Sequence, residues 1–139
     1  MSIEPREIRT SVAILKRMRP DHLEAHYLHG AVLNTASLEE VQRARHKLMG
    51  KVPYCMLSII PEDVDYTVSA ITVDHLHEDR KEGALLAIAV VARADMMEMI
   101  LKLYFAYHPQ LTRIHVTPSE ADAHQWLKKQ MEELGRTGS

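Results

Sequence analysis

The sequence predicts an α/β fold, a mixed β-sheet with packed helices, and three observations in its C-terminal half carry the prediction. The apolar run Leu85-Leu-Ala-Ile-Ala-Val-Val91 reads as a buried strand. The Met-rich stretch Asp95-Met-Met-Glu-Met-Ile-Leu-Lys-Leu-Tyr-Phe-Ala-Tyr107 reads as a helix. Thr112-Arg-Ile-His-Val-Thr117 is β-like and runs into a final helix ending near Leu134. Strand, helix, strand, helix is the pattern of a parallel sheet closed by crossovers.

Taken in order, the polar first residues lead into a strand between Arg9 and Met18, with Ala13 and Leu15 on one face and Val12 and Ile14 on the other. Arg19-Pro20-Asp21 is turn chemistry, because proline presets φ and aspartate can bond its own backbone. Leu23, Ala25 and Tyr27 then alternate with His22, Glu24 and His26, the period-2 mark of a strand with one solvated face. Ser37-Leu-Glu-Glu40 matches a capping box, with Leu38, Val41, Ala44, Leu48 and Met49 forming a helical stripe that Gly50 ends. Pro53 to Ile60 is continuously apolar, as a central strand should be.

Residues 65–77 are rich in β-branched side chains, yet Val68, Ile71, Thr72 and His75 share a helical face. A crossover between two buried strands is the usual place for a helix, so a helix is expected there. His77 to Gly83 reads as a charged, solvated connection. Thr117-Pro-Ser-Glu120 matches a second capping box, with Pro118 at the first helical position. Ala123, Trp126, Leu127, Gln130, Met131 and Leu134 follow at helical spacing, and Gly135 is placed to close the helix. The expected order is β-β-α-β-α-β-α-β-α.

Composition narrows the function classes. With 139 residues and 46% apolar content the chain can bury a core as one domain, 1–139, ordered over about 9–134. Lys plus Arg number 17 against 19 for Asp plus Glu, which gives no global charge case for nucleic acid. No apolar run is long enough to span a bilayer, and the N-terminus lacks an apolar signal core, so no membrane insertion and a cytoplasmic location are expected. Cys55, inside an apolar run, is expected to be a buried, inert thiol.

The alanine-rich fourth strand and the ending Thr112-Arg-Ile-His-Val-Thr-Pro-Ser-Glu-Ala-Asp-Ala-His-Gln-Trp-Leu127 resemble STAS-like proteins, specifically the small bacterial SpoIIAA-like (anti-sigma-factor-antagonist-like) branch. The matching residues are Glu120, Ala121, Ala123, Trp126 and Leu127. The resemblance implies a mixed sheet with packed helices and a protein-interaction or small-ligand module, with no enzymatic activity. Members that act as phosphorylation switches carry an Asp-Ser-Ser/Gly-Gly-like turn after the third strand. This chain has Pro61-Glu-Asp-Val-Asp-Tyr-Thr67 there, with Thr67 the nearest hydroxyl and Ser69 the first serine. The phosphoacceptor is therefore not carried over, and Thr67 and Ser69 stand only as candidate switch positions. Glu62, Asp63 and Asp65 fit better as N-terminal charges of the expected helix.

Nine histidines invite a metal hypothesis. His75 and His77 diverge by ~200° on a helix, and His22 and His26 on one strand face stand ~13 Å apart. His29 lies near them in sequence. No metal site and no cofactor are expected. Ser69, His75 and Asp74 could be assembled into a nucleophile set, and Cys55 with a histidine into another, but no nucleophile elbow, dinucleotide fingerprint or P-loop is present.

The Met-rich helix, 94–107, carries the functional expectation. Its polar stripe is only Asp95, Glu98 and Lys102, whereas a helix on a sheet needs an apolar stripe of about 100°. Met96, Met99, Leu101, Leu103 and Phe105 supply the surplus, which must pack on neighbouring helices, a homodimer or other protein partner, or a lipid-like ligand.

Overall fold

The computed structural model describes residues 6–67, 85–92 and 113–137. Within them the strands are β1 (Glu7–Arg9), β2 (Ala13–Arg19), β3 (His22–Tyr27), β4 (Val32–Leu33), β5 (Tyr54–Ile60), β6 (Asp65–Tyr66), β7 (Leu85–Ala92) and β8 (Ile114–Thr117). The helices are α1 (Thr35–Met49) and α2 (Glu120–Thr137). The crossover helix expected at 65–77 and the Met-rich helix lie largely or wholly outside the described residues.

Six strands form one sheet in the order β1-β2-β3-β5-β7-β8. The first three are antiparallel, and β3, β5, β7 and β8 run parallel. The hairpin expected around Pro20–Asp21 is present, with a register shift between Arg17 and Arg19. β5 is central and parallel on both sides, which explains its unbroken apolar sequence: both its faces are covered. A helix covers each of them. Val41, Ala44, Leu48 and Met49 of α1 share a buried cluster with Leu15, Leu23, Ala25 and Met56. Ala123 and Leu127 of α2 share another with Cys55, Leu57, Ala87, Ala89 and Val91. Alanines in β7 leave room for α2 to approach closely.

Several local expectations need correction. The strand expected to begin at Arg9 is preceded by another: Glu7–Arg9 adds an edge strand to β2. Helix α1 starts a turn before Ser37. Asn34 is its cap, accepting from the Ser37 amide at 2.8 Å, while the Ser37 hydroxyl accepts from the Asn34 amide at 2.9 Å. This is a capping box with serine in the third position. Glu40, expected to close the box, instead accepts from the amide and hydroxyl of Ser11 in the β1–β2 turn. Gly50 ends the helix as expected, at φ +58° with its amide bonded to the His46 carbonyl. Asn34→Ala should remove one reciprocal bond and cost about 1 kcal/mol of stability, measurable by urea denaturation.

The start of the expected 65–77 helix is also overturned. Asp65 and Tyr66 form β6, which pairs in parallel with β4. The amides of Asp65 and Thr67 donate to the carbonyls of Ala31 and Leu33 at 2.8 and 2.9 Å. Glu62 and Asp63 occupy a turn, not a helix N-terminus. Asp65 turns its carboxylate to the Tyr66 amide. In α2 the cap is Ser119: its hydroxyl accepts from the Asp122 amide at 3.1 Å and its carbonyl accepts from the Ala123 amide. Thr117 is committed to β8 opposite Val91, so Pro118 falls before the cap. Gly135 lies inside α2, which continues to Thr137.

Candidate functional site

On β3, period-2 alternation places His22, Glu24 and His26 on the sheet face opposite Leu23 and Ala25. The expectation of a solvated face fails here, since the side chains of His22 and Glu24 are only 13% and 12% exposed. Glu24 fills the gap between the two imidazoles. One carboxylate oxygen lies 2.8 Å from His26 Nε2 and the other 3.4 Å from His22 Nε2. Burial acts to raise the Glu24 pKa, but the hydrogen bonds from His26 and His22 outweigh it, and the net direction is down. The two ring hydrogen bonds thus favour the ionised form of this carboxylate. His29 leaves this row: it is exposed and paired with Asp63 at 3.3 Å.

A second polar group joins β8 and α2. Asp122 bonds His115 at 2.8 Å, and His115 stacks on Trp126 with ring centroids 5.2 Å apart. The hydrogen bond to His115, then that to Thr117, lowers the Asp122 pKa. The carboxylate thus stands between hydroxyl and imidazole. A nucleophile relay needs the imidazole in the middle to take the hydroxyl proton, and this arrangement has the opposite order.

Cys55 is buried on β5, and burial first, then Asp21, pushes its thiol up to about 11. It is protonated at neutral pH and far from a reactive thiolate. Burial also pushes the Tyr27 phenol up, against the opposing charge of Arg45. Among the described residues no three His, Cys, Asp or Glu side chains converge as metal ligands.

The sequence-derived candidates divide sharply. Thr67 is half-buried directly after β6, held by its amide to Leu33, the residue preceding the cap of α1. Ser69, Asp74, His75, His77, Met96, Met99, Leu101, Leu103 and Phe105 lie outside the described residues. The pairings around Glu24 and Asp122 were not anticipated. The first had a visible signal, three polar residues at i, i+2 and i+4 of one strand.

The sheet adds its parallel strands in chain order, so its described part has no reversal of order of the kind that opens a ligand crevice in α/β sheets. No described helix is long and apolar enough to cross a membrane.

The chain is similar in structure to an uncharacterised protein of the DUF3478 family with a SpoIIAA-like fold from Shewanella loihica PV-4. The TM-score is 0.55 at 18% identity, covering 83% of this chain and 91% of that one. The mixed α/β architecture is thus a SpoIIAA-like fold, as the C-terminal residues suggested. No curated protein matches the chain. Residues 20–131 match the family described as a domain of unknown function, DUF7793, and the chain belongs to that family.

Proposed function

We propose that this chain is a non-enzymatic regulatory or protein-interaction module, working as a single domain and docking a protein partner through the Met-rich helix 94–107. The observation that carries the reading is the apolar arc of that segment. On a helical wheel Met99 and Leu103 flank one side of the Asp95–Glu98–Lys102 stripe, and Leu101 and Phe105 flank the other, leaving more apolar surface than a sheet needs. Methionine suits such a surface because its unbranched thioether adapts to different partners. The carboxylate-centred order of the polar groups on β3 and β8 supports a non-catalytic role.

The double variant Met99→Lys/Leu103→Lys tests the reading. The expected result is loss of the partner or second copy in light scattering, with unchanged far-UV circular dichroism and a melting temperature within a few degrees of wild type. A variant that unfolds places these side chains in the core and overturns the proposal. The same arc could instead cover a lipid-like ligand, and native mass spectrometry showing a stoichiometric co-purifying lipid would favour that reading. Thr67 and Ser69 are the hydroxyls through which phosphorylation could regulate the module. Stoichiometric phosphate on either, by mass spectrometry of native protein, supports that addition.

A further inference from the structure

We propose that the outer edge of β1 is a self-association edge, on which two copies pair antiparallel about a two-fold axis at Ile8. β1 ends the six-stranded order, and among the described residues no strand pairs with its outer side. The Arg17 amide donates to the Arg6 carbonyl and the Thr10 amide to the Ala13 carbonyl, so Arg6 and Thr10 face β2. Antiparallel ladders alternate, which turns Ile8 inward as well and leaves the backbone groups of Glu7 and Arg9 pointing outward.

A two-fold axis at Ile8 sets Glu7 of one copy opposite Arg9 of the other, twice. Each such pair can exchange both N–H···O bonds, and Ile8 meets Ile8 as a closely spaced, non-hydrogen-bonded pair. The side chains agree with this register. Ile8 lies opposite Leu15 and packs on the larger core cluster, so a second Ile8 would extend an apolar row. On the other face Glu7 lies opposite Lys16, and Lys16 opposite Glu24, a row already alternating in sign. Arg9 of the second copy adds the next opposite charge beside Glu7. Opposite charges directly across strands attract, and like charges in the same place repel. A short charged edge otherwise protects against pairing, but Glu-Ile-Arg is complementary to itself under this one symmetry.

The edge is a different segment from helix 94–107, and charge reversal separates the two. Sedimentation of the full chain at up to about 1 mM should show a concentration-dependent dimer, as expected for a small interface. Glu7→Arg, which places arginine against arginine twice, should weaken it about tenfold or more. The double variant Glu7→Arg/Arg9→Glu should restore it. Arg9→Pro removes an outward donor while sparing the bonds to β2, and should give a folded monomer by circular dichroism. A monomeric wild type overturns the proposal. So does a dimer that Glu7→Arg leaves intact; if Met99→Lys/Leu103→Lys dissociates that dimer, self-association belongs to the helix.

Discussion

Leu57→Ala should lower stability by about 2–5 kcal/mol, read as an earlier urea midpoint with an unchanged slope. Leu57 is fully buried in the central strand, on the face covered by α2. Its cross-strand partners are Glu24 on β3 and Ala89 on β7, one polar and one small, so neither can swell into the space a lost isobutyl group leaves. Closing the cavity would require α2 to tilt, and α2 is tied to the β8 segment by Asp122 to His115 and by Glu133 to Arg113. The change should therefore lie well above the transfer cost of the removed atoms alone. A loss under about 1 kcal/mol would mean that α2 collapses freely onto the sheet.

The features legible in the sequence were those written in side-chain periodicity. The continuous apolar run before Ile60 marked a strand covered on both faces, and the spacing from Ala123 to Leu134 marked a helix with one buried stripe. Features set by backbone pairing were not legible. Glu7-Ile-Arg9 is too short and too charged to register as a strand, and it becomes one only because β2 offers it an open edge. Asp65 and Tyr66 look like the start of a helix because acidic residues favour such positions. They are instead drawn into a two-residue ladder by the carbonyls of Ala31 and Leu33, which lie far away in sequence. Capping was ambiguous for a related reason. Ser37 and Asn34 are both competent caps three residues apart, and Ser11, distant in sequence, engages Glu40 and leaves Asn34 to begin the helix. The polar row on β3 was read as solvated because alternation reports which residues share a face without reporting what shields it.

That shielded row gives the second large effect. Glu24→Ala should cost about 1.5–3 kcal/mol at neutral pH, because it removes a largely buried carboxylate bonded to two imidazoles. The cost should depend on pH in one direction. The folded-state pKa of Glu24 lies below its ordinary value of 4.5, against the opposing effect of burial, because His26 and His22 bond the ionised form. A depressed carboxylate contributes stability that is fully present above the unfolded-state pKa and is lost as pH falls through the folded-state value. The gap between wild type and Glu24→Ala should therefore hold at neutral pH and narrow as the solution is acidified below about 4.5. Glu24→Gln keeps the shape and some of the hydrogen bonding without the charge. Its difference from wild type should shrink over the same range, with a smaller loss at neutral pH. Urea midpoints of the three proteins measured across acid pH decide the matter. A gap that widens as the pH falls below about 4.5 would show that the imidazoles do not stabilise the carboxylate, and that Glu24 is tolerated on β3 at a cost and not as the centre of the row.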